Sequence, residues 1–137
     1  MRLVKLTAVG LIAGLILGGL LKMAEQLTGK KVYTLLMNVD YIPVIRKWNM
    51  TGAQEFMLHL VVAVLLVFTL YILLKKYYHP LTLYISINLI VGGLLYLTTV
   101  LSARTPELTD MEAFSYWMLG HFIYGLSVGI MVRKIEG

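Results

Sequence analysis

The sequence predicts an all-α, polytopic membrane protein: an antiparallel bundle of four transmembrane helices, with a short interfacial helix after the first span. Three observations predict it. Four apolar stretches, roughly 6–21, 56–74, 81–101 and 114–132, fill most of the 137 residues. Each can cross a hydrocarbon core about 30 Å thick at about 1.5 Å rise per residue. Hydrophobic residues make up 59% of the chain and charged ones 14%, against about 25% charged in soluble domains. The basic residues sit at the ends of the stretches, where they hold a membrane helix in orientation. Extended to their ends, the spans are about 4–23, 54–75, 80–101 and 112–133 in a single domain over 1–137. Only 22–55 remains as a sizeable extramembrane segment, too small for a soluble catalytic domain.

Span one carries Gly10, Gly14 and Gly18, four residues apart on one helix face. Such a face lets another backbone approach closely, which drives helix association where lipid removes the hydrophobic force. In the connection that follows, Val32, Leu35, Leu36, Val39 and Ile42 recur at helical spacing until Pro43. This pattern predicts a short amphipathic helix over 31–39, in the interface or folded over the bundle mouth, or else an ordered loop packed on the helices. Span two opens with Glu55 and His59 one turn apart on the same face. Lys75 to Pro80 forms a tight turn, with Pro80 opening span three, where its missing N–H is harmless, and His79 is expected to be solvated there.

Span three places Asn88, Gly92 and Tyr96 on one face, and Asn88 is expected to hydrogen-bond to another helix. Span four, capped by Thr109 or Asp110, puts His121, Gly125 and Gly129 on one stripe. The small-residue faces of spans one and four suggest that those two helices pack together. Dimerisation through span one competes with that arrangement. Tyr33, Tyr41, Trp48, Tyr116 and Trp117 are expected to mark one membrane interface, and Tyr71, Tyr77 and Tyr78 the other.

Four spans put both termini on one side. Lys and Arg divide evenly between the sides, but six of the seven acids (Glu25, Asp40, Glu55, Glu107, Asp110 and Glu112) lie opposite the termini. With short basic segments abutting the span ends, cytoplasmic termini are expected, in a bacterial plasma or inner membrane. The net charge of +5 is read as this anchoring and not as a nucleic-acid surface. No cysteine is present, which removes disulfides, thiolate metal sites and cysteine nucleophiles.

An ionisable side chain inside a bilayer costs about 2.5–3.5 kcal/mol on insertion scales, so each is a site hypothesis. Lys22, Glu25, Glu55, His59, Glu112 and His121 gather towards the mouth away from the termini. They can form a polar cavity that binds a cation or passes protons. Alternatively, the charged groups snorkel and the histidines only bond between helices. Two histidines at similar depth also raise a bis-imidazole haem, against which tight glycine packing argues. No metal-hydrolase, triad, P-loop or dinucleotide pattern occurs, so neither catalysis nor a cofactor is expected.

The chain resembles the YagU-like family of small bacterial inner-membrane proteins. The likeness rests on Gly10-Leu11-Ile12-Ala13-Gly14 with Lys22 and Glu25 following, and on His59 opening span two. In the last third it rests on Thr105-Pro106, Gly120-His121 and the closing Arg133-Lys134. The first connection is much shorter than that pattern and lacks its paired prolines. The resemblance implies a four-helix inner-membrane fold and importance for Glu25, His59 and His121, and confers no activity. The expectation is a non-enzymatic protein working in the lipid bilayer through helix packing, a homodimer or a membrane-protein partner. The alternative is a small proton- or ion-linked transporter or channel using Glu55, His59 and His121.

Overall fold

The computed structural model describes all 137 residues and is helical throughout, without strands. Five α-helices follow one another: α1 (Arg2–Thr28), α2 (Val32–Met37), α3 (Gly52–Leu74), α4 (Leu81–Tyr96) and α5 (Met111–Glu136). Short 3-10 turns lie at Ile45–Lys47, Lys75–Tyr77 and Leu97–Leu101. Four helical segments, Arg2–Thr28, Gly52–Tyr77, Leu81–Leu101 and Met111–Glu136, are long and apolar enough to cross a membrane.

Helices α1 and α5 outrun the apolar stretches that foretold them, because hydrophobicity marks a lipid thickness while caps mark a helix end. Helix α1 runs to Gly29, whose φ of 75° is the left-handed stop glycine takes most easily. Helix α3 begins with a capping box in which the Gln54 N–H donates to Thr51 Oγ1 and the Thr51 N–H donates to Gln54 Oε1 (2.8 Å). Asp110 caps α5 by accepting the Ala113 N–H at 3.1 Å.

Helix α1 packs against α3 on one side and α5 on the other, and α5 packs against α4. Although consecutive, α3 and α4 make no comparable contact. The order α3–α1–α5–α4 leaves a crevice between the two outer helices.

The glycines explain how close the packed pairs lie. A Cβ added at Gly10 would sit 2.6 Å from Val64 Cα, and one at Gly18 would sit 2.9 Å from the Phe56 ring. The stripe of span one therefore seats α3. Gly125 faces α4, where a Cβ would lie 2.8 Å from the Tyr84 carbonyl oxygen, and Gly129 faces Leu81 and Tyr84. Spans one and four do pack together, as expected, but their glycine stripes do not meet each other. The α1–α5 seam instead uses Gly120 against Leu17 and Leu21.

One further expectation, the solvation of His79, is corrected, and two of the aromatic side chains turn inward. Trp117 is buried at 2% exposure, and its indole N–H donates to the Gly92 carbonyl at 2.7 Å, a partner that removes its need for water. Tyr71 is also buried, and its hydroxyl donates to Glu136 at 2.9 Å. His79 is 4% exposed and not solvated. The main chain of Tyr78 and His79 turns through left-handed φ values of 58° and 52°. The imidazole stacks on Tyr71 at 4.9 Å and its Nδ1 lies 2.9 Å from the Tyr84 hydroxyl.

Candidate functional site: a polar crevice under a short helix

Helix α2 lies against α1 and α3, burying Val32, Leu35 and Met37. Glu25 fixes its start. That carboxylate accepts the Thr34 N–H at 2.7 Å and the Thr34 hydroxyl at 2.8 Å, so an anion sits where the helix N-terminus has free N–H groups. The segment after α2 is tied to the Ser102–Asp110 loop. Arg104 donates to Asp40 from Nε at 3.3 Å and to Asn38 Oδ1 at 3.2 Å, and the Ser102 hydroxyl donates to Asp40 at 2.8 Å. Burial pushes the Asp40 carboxyl up, but the bonds from Ser102 and Arg104 together outweigh it and hold the group below its usual range. On the other side of the mouth Lys30 bridges Asp110 (3.0 Å) and Glu112 (3.3 Å). The Ala113 N–H and then Lys30 hold Asp110 below the ordinary carboxylate range.

Beneath this cover three spaces adjoin one another. The outermost, about 520 Å3, is polar, with Lys22, Glu55 and Arg104 on its walls. The middle one, about 130 Å3, shares Glu55 with it and adds His59 within a mostly apolar lining from α2, α3 and α4. The third, about 60 Å3, lies open along the groove between α3 and α4, shares His59 with the middle space and brings in Asn88 and His121. Its other walls are apolar, from Leu17, Val62, Ala63, Leu66 and Val91. Glu55, His59, Asn88 and His121 thus line a succession of spaces running from the mouth into the crevice between α3 and α4.

The histidines are held by main chain. His59 Nε2 lies 3.0 Å from the Gly14 carbonyl and His121 Nδ1 lies 2.9 Å from the Trp117 carbonyl. His121 also packs 4.5 Å from the Trp117 ring and directly on Gly92, where a Cβ would come within 2.6 Å of the imidazole Cγ. Asn88 makes no bond to another helix, contrary to expectation. Its amide nitrogen donates to Tyr84 O in its own helix at 2.7 Å, and its Oδ1 has no partner.

Of the candidate residues, Glu55, His59, Asn88 and His121 line the connected spaces. Lys22 lines only the outer space, its ammonium 5.7 Å from the Tyr33 ring centre. Glu25 is committed to α2, and Glu112 to Lys30 and Tyr116. Arg104 and Tyr124 escaped the sequence reading. Arg104 reaches to 3.9 Å from Glu55, and the Tyr124 hydroxyl donates to the Ala63 carbonyl at 2.9 Å, both residues lining the third space. Arg104 gives no signal in an exposed loop, whereas Tyr124 could have been found one turn after His121 on the same face. No protein-family model, curated protein or solved structure matches the chain.

Proposed function

We propose that this is a non-enzymatic, multi-pass protein of a bacterial inner membrane, with cytoplasmic termini, that admits protons or small cations from the opposite face. The four long helices form an antiparallel bundle in this reading, and α2 rests at the interface as a cover over the mouth. The observation that carries it is the shared lining: Glu55, His59, Asn88 and His121, from three helices, border spaces that adjoin in series. Ionisable groups this deep in an apolar crevice are unfavourable unless something uses them. The outward faces support the membrane setting, with Leu15, Val61, Leu65, Ile90 and Leu94 all exposed. The alternative, action through a partner on the span-one glycines, has less support, because Gly10, Gly14 and Gly18 are covered by α3. A homodimer that completes the pathway fits the same scheme.

The test is proton flux in proteoliposomes loaded with a pH-sensitive dye. Flux above that of empty vesicles is expected for the wild type, and near-background flux for the His59→Ala/His121→Ala double variant. Equal flux in the two proteins rejects the reading.

A further inference from the structure

The side-chain charges divide unevenly between the two ends of the long helices. Arg2, Lys5, Lys75, Lys76, Arg133 and Lys134 stand at the end that carries the chain termini, and Glu136 is the one acid among them. The other end holds the remaining six basic side chains and the remaining six acids. The whole net charge of +5 therefore sits on the terminal end. Folding leaves that excess bare. At the far end Arg104 lies on Asp40, and Lys30 on Asp110 and Glu112. At the terminal end a single ion pair forms, from Arg2 Nε to Glu136 at 3.4 Å, and the same carboxylate accepts the Tyr71 hydroxyl. Lys5, Lys75, Lys76, Arg133 and Lys134 are exposed and form no ion pair. Two of them, Lys75 after α3 and Arg133 near the end of α5, border one hollow of about 510 Å3. Its other walls are Tyr78, His79, Gly137 and the already engaged Glu136.

We infer that this hollow takes the headgroup of an anionic phospholipid, with Lys75 and Arg133 holding its phosphate. The site shares no residue with the crevice and goes beyond the reading given to it. Depth argues for a lipid over a dissolved anion. The basic groups stand at the ends of segments long enough to cross a membrane, and lipid headgroups lie just outside a core about 30 Å thick. The neighbouring surface is apolar. Leu3 and Val4 lie between Arg2 and Lys5, Ile72 and Leu73 lie just before Lys75, and all four side chains are largely exposed. An occupant that satisfies both surfaces brings an anionic head and an apolar tail. Tyr77 and Tyr78 are exposed beside the hollow, with Lys76 Nζ 4.7 Å from the Tyr77 ring centre, the aromatic and basic company typical of a headgroup layer. The Arg133 guanidinium can give two parallel N–H donors to a phosphate, and the Lys75 ammonium adds a point charge. A zwitterionic lipid would bring a further cation to a surface that already has an excess, so anionic lipid is preferred.

The experiment uses the full chain in neutral detergent micelles and follows thermal unfolding as lipid is added. Phosphatidylglycerol should raise Tm by about 4 °C at about ten times its half-saturating concentration. Phosphatidylcholine of the same chain length should raise it by less than about half as much. Soluble glycerol phosphate at equal ionic strength should raise it by less than about 1 °C. Lys75→Gln/Arg133→Gln should lose at least about half of the phosphatidylglycerol shift. Lys31→Gln/Lys47→Gln removes the same charge from exposed positions at the far end and should keep the shift. Equal shifts with the two lipids, an equal shift with glycerol phosphate, or an equal loss in the two double variants overturns the proposal. Each variant is compared with itself without lipid, so a change in its starting stability does not enter, and the wild-type comparison of lipids needs no variant.

Discussion

Gly92 and Gly93 are neighbours on α4 with opposite surroundings, and replacing each in turn by alanine tests the seat of His121. At Gly92 an added Cβ lies 2.6 Å from His121 Cγ and 2.9 Å from its Cβ and Cδ2; at Gly93 nothing lies within 4 Å. Carbon atoms rest at about 3.5–4.0 Å, so Gly92→Ala must push the imidazole away by about 1 Å. The ring is tied on the side of Trp117. Its Nδ1 is bonded to Trp117 O, the Trp117 indole is bonded to Gly92 O, and the two rings are 4.5 Å apart. The displacement is therefore taken up by the α4–α5 seam, where overpacking typically costs about 1–3 kcal/mol. Both substitutions gain about 0.8–1 kcal/mol of helix propensity, glycine being the poorer helix former. Gly93→Ala should therefore be neutral or stabilising, and Gly92→Ala less stable than Gly93→Ala by about 1–3 kcal/mol. Reversible unfolding in mixed micelles measures this difference. Trp117 fluorescence, read in a Trp48→Phe background, should report the moved ring only in Gly92→Ala. If the two alanine variants unfold together, the packing of His121 on Gly92 is not as described.

Tyr78 closes the 3-10 turn after α3 in a left-handed conformation (φ 58°) and is 93% exposed. The His79 N–H reaches Leu74 O and the Tyr78 N–H reaches Lys75 O, a closing motif that normally uses glycine. Tyr78→Gly should raise stability by about 0.5–1 kcal/mol, and a fall in Tm contradicts it. Asp110→Ala removes the cap of α5 and should lower unfolding free energy by about 1 kcal/mol, whereas Asp110→Asn keeps most of it. Because the folded carboxyl sits below its ordinary value, this contribution is present above pH about 4 and fades as pH falls through the folded value. His79 runs at higher pH: burial lowers its pKa, so the unfolded chain binds the proton first. Its effect on stability is absent above pH about 6.5 and grows unfavourable as pH falls below that value. Unfolding curves from pH 7.5 to 5.5 should fall more steeply for wild type than for His79→Gln, and parallel curves refute the buried neutral ring.

Helix number and type were legible because lipid imposes one strong rule, about twenty apolar residues per crossing. Glycine spacing correctly marked close contacts but could not say with whom. Gly10 and Gly125 carry the same signal, yet one seats Val64 and the other the Tyr84 backbone. Periodicity assigns a face to a helix and is silent on its neighbour. His59, Asn88 and His121 were found because polar residues in apolar runs stand out, and Tyr84, Asn88, Gly92 and Tyr96 do share the buried face of α4. His79 was misjudged because residue type and position suggested water, while a left-handed backbone turn carries the ring onto Tyr71 and Tyr84. The ties of Arg104 span |i−j| of 64 and 66, separations that no local pattern reveals.

The glycines and the polar site are one construction. At Gly14 a Cβ would come within 3.0 Å of Ala63 and Leu60, so its absence brings α3 close enough for His59 to reach the Gly14 carbonyl. At Gly92 the missing Cβ leaves the volume that His121 fills, while the same residue's carbonyl holds Trp117, whose own carbonyl orients His121. In both cases a backbone acceptor takes the proton of one ring nitrogen and leaves the other as a lone pair. Main chain, which does not titrate, therefore sets the chemistry the crevice presents. Carboxylates in those positions would have favoured charged imidazolium rings, whereas carbonyls leave the neutral ring its place between helices.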